Sequence, residues 1–141
     1  MRVKIGPYPK TNWIKQICGI TDHQTVEIKI DPWDTWSMDH TLAYIIHPML
    51  VQLKDTQHGY PSELTEQEWN DILDEMIWAF EQKCKDDWTD QYYGNWVTDK
   101  DKDKILSGHF DSIDHDGLKE HQERITQGLK LFGKYYENLW D

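Results

Sequence analysis

Behind Thr65-Glu66-Gln67-Glu68, six apolar side chains recur at helical spacing: Trp69, Ile72, Leu73, Met76, Ile77 and Phe80. Thr65 and Glu68 make a T-x-x-E capping box, in which the hydroxyl and the carboxylate each satisfy an orphan backbone N–H. The pair fixes a helix start, and the stripe behind it fixes a core-facing side. The spacing predicts a helix to near Lys85, ending before Asp86 and Asp87.

Two further stripes follow the same logic. Leu42, Ile45, Ile46, Met49, Leu50 and Leu53 predict a helix over 37–54, with a kink at Pro48, whose ring would clash with the Tyr44 carbonyl. Leu118, Ile125, Leu129, Phe132, Tyr136 and Leu139 predict a helix from an Asp116 N-cap to the C-terminus. Within it Gly128 and Gly133 each cost about 1 kcal/mol against alanine, which close packing or a helix break would explain. The strand candidates are short and alternating: residues 2–5, and residues 25–30 with Val26, Ile28 and Ile30 on one face. Pro32 follows the second and cannot continue a ladder. Trp13, Ile14, Ile17 and Ile20 suggest a short helix ending at Gly19. The expected class is α+β: three main helices with a small N-terminal antiparallel sheet, in a single compact domain over 1–141. Residues 86–115 are expected to be a long, solvated acidic loop.

The charge is −11 and it is uneven. Residues 1–30 carry +3, 31–85 carry −8, 86–116 carry −6, and 117–141 are neutral. Polymeric nucleic acid is excluded as the main partner, because phosphate binding needs clustered Lys and Arg. An anionic membrane is excluded on the same ground, and no apolar run reaches the roughly 20 residues of a span. The first 20 residues lack a signal-peptide core. Cys18 and Cys84 make no disulfide framework and are expected to be free thiols in a reducing cytosol.

Catalytic signals are sparse. Asp99, Asp101 and Asp103 open like a calcium loop, but Lys104 and Phe110 stand where it needs Gly and Glu. His40, Tyr44 and His47 share one helix side and, with Asp71 or Glu75, could reach a divalent metal, though no HExxH accompanies them. Among themselves Asp71, Asp74, Glu75 and Glu81 show neither the E-x-x-E nor the E-x-x-D spacing whose pairing marks helical nucleotide pyrophosphohydrolases. No nucleophile elbow, P-loop or dinucleotide fingerprint is present. No cofactor and no metal are expected, and a non-enzyme is favoured.

Residues 31–40 are the unusual segment. Trp33 and Trp36 crowd a strand-to-helix junction with Asp31, Asp34 and Asp39. An indole offers a broad face for stacking a base or sugar, and a helix N-terminus offers free amides to an anion. Arg124 and Lys134 could meet a phosphate, Arg bidentately. The bland alternative is a hydrophobic staple with Thr35 or Ser37 as N-cap and the indoles buried. The candidate ligand-binding set is Trp33, Asp34, Trp36, His40, His58, Trp78, Arg124, Lys134 and Tyr135.

The segments 28–43, Pro48-Met49-Leu50, 52–54, His58-Gly59, 73–82, Gly117-Leu118, 121–125, Gly128-Leu129, 131–136 and 139–141, with Ile5-Gly6-Pro7-Tyr8-Pro9, carry a resemblance. The chain resembles a family of uncharacterised tailed-phage proteins over most of its length, except roughly 11–24 and 86–115. Relatives often have His at position 44 and no family residue at 47, which weakens the metal reading. The resemblance implies a phage protein acting in the host cytoplasm. By size and context it is similar to anti-defence sponges that sequester nucleotide immune signals, such as the Lockin type. The implied partners are a small nucleotide-like ligand, of ADP-ribose or cyclic-nucleotide type, and further copies of the chain in a homo-oligomer. The alternatives are an acidic protein–protein inhibitor or DNA mimic, and a metal-dependent nucleotide hydrolase.

Overall fold

A computed structural model describes residues 1–6, 25–92 and 114–140. The short helix expected within 11–24 and the Asp99–Asp103 run lie outside the described residues. The chain divides into two units, Met1–Thr41 and Leu42–Asp141. Among the described residues the fold is α+β, with three helices and a two-stranded antiparallel sheet.

In the first unit, β1 (Arg2–Ile5) pairs with β2 (Val26–Lys29). The register sets Arg2 opposite Lys29, Val3 opposite Ile28, Lys4 opposite Glu27 and Ile5 opposite Val26. The period-2 alternation therefore puts all the β-branched side chains on one face and the charges on the other. Gly6 continues the pairing by donating to the Thr25 carbonyl at 2.9 Å. Its φ of 126° is a conformation that favours glycine. A 3₁₀ turn at Pro32–Thr35 follows, with proline at its start, where a missing N–H costs nothing.

Helix α1 (Met38–Thr56) begins in this unit and runs on into the second, continuing through Pro48. Helix α2 (Glu66–Lys83) starts as expected at the Thr65 capping box: Thr65 Oγ1 accepts from Glu68 N at 3.2 Å, and Glu68 Oε2 accepts from Thr65 N at 2.8 Å. The Thr65 amide, and then the Thr65 hydroxyl, hold the Glu68 carboxyl below its ordinary value. Helix α3 (His115–Lys134) is capped by Asp114, not Asp116; the Asp114 carboxylate accepts from Gly117 N at 2.8 Å. It ends at Lys134, short of the expected C-terminus, and a 3₁₀ turn follows at Tyr136–Asn138.

The core of the second unit is built on α2. Trp69, Leu73, Met76 and Phe80 are buried there, joined by Ala43 and Leu50 of α1 and by Tyr135. Ile125 of α3 is fully buried as well. Among the described residues no helix is long and apolar enough to cross a membrane.

Candidate functional site

The aromatic junction in the first unit is held by backbone hydrogen bonds. The Asp31 carboxylate accepts from Trp33 N at 3.1 Å, while Asp31 N donates to Asp34 Oδ2 at 2.7 Å. This reciprocal arrangement is a capping box on a single 3₁₀ turn. Thr35 closes the turn by donating its hydroxyl to the Pro32 carbonyl at 2.9 Å. Asp34 also receives the Met1 ammonium at 2.7 Å. The ammonium, and then the Asp31 amide, hold the Asp34 carboxyl below its ordinary value.

The two indoles on this turn are not staple residues. Trp33 is 75% exposed and Trp36 is 80% exposed. Their rings stack on each other at 5.6 Å between centroids and 21° between planes. The two near-parallel rings, three residues apart on a tight turn, cover each other on one side and leave their outer faces to solvent. Thr35 and Ser37 are not spent on burying them. His40 sits half-buried in the first turn of α1.

The remaining candidates belong to the second unit. Arg124 of α3 stacks its guanidinium 3.9 Å above the Trp78 ring. Its Nε and Nη2 both donate to Glu75, at 3.1 and 2.8 Å. The bidentate bond to Glu75 raises the guanidinium pKa further. Arg124 is thus already committed on its fork and on its face. Lys134 lies over the Tyr135 ring at 4.6 Å. Tyr135 itself is buried, edge-on to Trp69. His58 is exposed on a separate polar hollow of about 280 Å³, beside Lys54, Gln57 and Asn70.

The structure adds a cluster that sequence reasoning missed. His121 of α3 is flanked by Trp88, stacked at 4.8 Å and 17°, and by Trp78, tilted at 5.0 Å and 47°. Tyr92 meets its edge, with Tyr92 Oη 2.9 Å from His121 Nδ1. The other ring nitrogen, Nε2, is buried with no hydrogen-bond partner among the described residues. Burial first, then the positive charges of Arg124 and Lys85, push the imidazole pKa down. An open hollow of about 400 Å³ adjoins the cluster, lined by Trp88, Leu118 and Gln122 among others. The available signal was two aromatic residues, Trp88 and Tyr92, inside a stretch otherwise assigned to an acidic loop.

Among the described residues no group of three His, Cys, Asp or Glu side chains could hold a metal ion. His40, His47, Asp71 and Glu75 therefore form no such set. Cys84 is a half-buried free thiol, its pKa raised by burial and by Glu81. No family model, curated protein or solved structure matches the chain.

Proposed function

We propose that this protein binds a nucleotide-derived signal and sequesters it without cleaving it, as a phage factor acting against host immunity. The observation that carries the reading is the exposed, mutually stacked Trp33–Trp36 pair. Large aromatic faces are costly to leave in water, since they forgo burial of 150–250 Å² each (order of magnitude). A purine or nicotinamide ring stacked there recovers part of that. Base–aromatic stacking is worth about 1–3 kcal/mol per base. The capping box on Asp31 and Asp34 holds the backbone of the turn in one geometry, so little order is lost on binding. The first amides of α1 follow the pair directly and suit an anionic group. The +3 charge of residues 1–30 works in the same direction.

Arg124 and Lys134 contribute less to this reading than the indoles do. Arg124 would have to exchange Glu75 for a phosphate, and both partners are anionic, so the exchange gains little. The direct test is depletion. Purified protein is incubated with lysate containing an immune signal, removed, and heated to release its cargo. The reading expects the signal to vanish from the lysate and to return intact on heating. A signal that stays in the lysate, or returns cleaved, sinks it.

A second reading is an acidic inhibitor of a host protein. It is favoured by five exposed acids, Glu63 just ahead of α2 and Glu66, Glu68, Asp71 and Asp74 along its first half. A stoichiometric host protein pulled down from lysate, with no retained small molecule, selects this reading over the first.

A further inference from the structure

Strand β2 has one edge in the ladder and one edge outside it. The Gly6 N–H bonds the Thr25 carbonyl, so Gly6 and Thr25 form a hydrogen-bonded pair. Such pairs alternate with non-bonded pairs along an antiparallel ladder. Given the register, Glu27 and Lys29 turn their backbone groups toward β1, and Val26 and Ile28 turn theirs away. Ile30 continues that alternation one residue past the strand. Among the described residues the sheet contains β1 and β2 alone, so no strand meets the outward groups. The side chains at these positions are uncovered too: Val26, Ile28 and Ile30 are all more than half exposed. A two-stranded ribbon with a bare apolar face is marginal by itself.

We propose that the outer edge of β2 is the seam of a homodimer, pairing with β2 of a second copy about a two-fold axis at Ile28. Laid antiparallel on itself in that register, the sequence Val26-Glu27-Ile28-Lys29-Ile30 is self-complementary. Ile28 meets Ile28, and Val26 meets Ile30, all on one face. Glu27 meets Lys29 twice on the other face. The backbone agrees with the side chains. Ile28 opposite Ile28 is a hydrogen-bonded pair and uses the outward N–H and C=O groups. Glu27 opposite Lys29 is a non-bonded pair, where Cα atoms approach to about 4.5 Å and side chains are closest. The contact is isologous and closes at two copies. The product is a four-stranded sheet with one continuous apolar face.

The other edge offers no such match. On β1 the outward residues are Val3 and Ile5, and a two-fold axis at Val3 sets Arg2 opposite Lys4 twice. Joining β1 to β2 of a second copy in the intramolecular register sets Arg2 opposite Lys29, and it leaves an edge open for a third copy. Charge therefore selects the β2–β2 seam over both alternatives.

Sedimentation equilibrium tests the seam. The wild-type chain is expected at twice its 16.9 kDa mass. Lys29→Glu places carboxylates opposite Glu27 at both ends of the seam and should give the 16.9 kDa species. Within the ribbon the same change puts a carboxylate opposite Arg2, which favours β1–β2 pairing, so loss of the dimer cannot be laid to a broken ribbon. Mixing Lys29→Glu with Glu27→Lys restores opposite charges across the seam and should return the doubled mass as a heterodimer. A wild-type monomer, or a dimer that Lys29→Glu leaves intact, overturns the proposal.

Discussion

Gly128 of α3 sits directly against Ala79 of α2. A Cβ placed on Gly128 would lie 2.4 Å from the Ala79 Cβ and 2.6 Å from the Glu75 carbonyl oxygen. The glycine is what lets the two helices approach so closely. Gly128→Ala would gain helix propensity of about 1 kcal/mol but must push the helices apart, at about 1–3 kcal/mol. The expected outcome is net destabilisation, read as a lower urea midpoint. Gly133 is the internal control. Nothing lies within 4 Å of its would-be Cβ, so Gly133→Ala should be neutral or stabilising by a few tenths of a kcal/mol, at the order of magnitude of helix propensity near a helix end.

The indoles divide by burial. Trp69 is 2% exposed in the core, so Trp69→Ala should cost about 3–5 kcal/mol. Trp33→Ala and Trp36→Ala should each stay within about 0.5 kcal/mol of wild type, as expected of surface positions. Denaturant unfolding of the three variants checks this. A large loss at Trp33 or Trp36 would restore the buried-staple interpretation.

Thr65 tests the capping box on α2. Thr65→Ala removes the acceptor for Glu68 N and the hydroxyl that bonds Glu68 Oε2. It should cost about 1 kcal/mol, measured as a shift in urea midpoint. The Glu68 carboxyl is depressed by the Thr65 N–H and hydroxyl. Its share of stability is therefore present above the unfolded pKa and lost as the pH falls through the folded one. Part of the acid lability should disappear in Glu68→Gln.

His121 supplies a pH dependence of its own. Its folded pKa lies below the unfolded value of 6.5. Between the two, the unfolded chain binds a proton that the native state does not, so stability rises with pH up to about 6.5 and is then flat. The facing groups are Tyr92, Trp78, Trp88, Arg124 and Lys85. His121→Phe should flatten the stability profile between the folded pKa and 6.5. An unchanged slope would show that His121 is not the titrating group.

What the sequence disclosed was local. Thr65 and Glu68 are three residues apart, and their bonds were legible because capping depends only on neighbours. The stripe on α2 was legible because burial has the helical period; on α1 it held only in part, since Leu50, Ile46 and Leu53 join the core while Leu42 and Met49 are exposed and Ala43, outside the stripe, is fully buried. The start of α3 was misplaced by two residues because Asp114 and Asp116 are equally good caps on paper; only the backbone shows which carboxylate reaches Gly117 N. The Tyr92–His121 contact spans 29 residues and left no spacing to read. Exposure of Trp33 and Trp36 was equally hidden, since a staple and a platform are written in the same residues. Arg124 was expected to face a phosphate; its partner Glu75 lies 49 residues away on another helix.

Native mass spectrometry tests the central claim most directly. The intact protein is sprayed alone and then with a panel of ADP-ribose relatives and cyclic dinucleotides. The account predicts that at least one member adds its whole, uncleaved mass to the wild-type chain, and that the Trp33→Ala/Trp36→Ala double variant loses the adduct while keeping its folded charge-state distribution. A wild-type chain that binds none of the panel, or a double variant that binds as well as wild type, would contradict it.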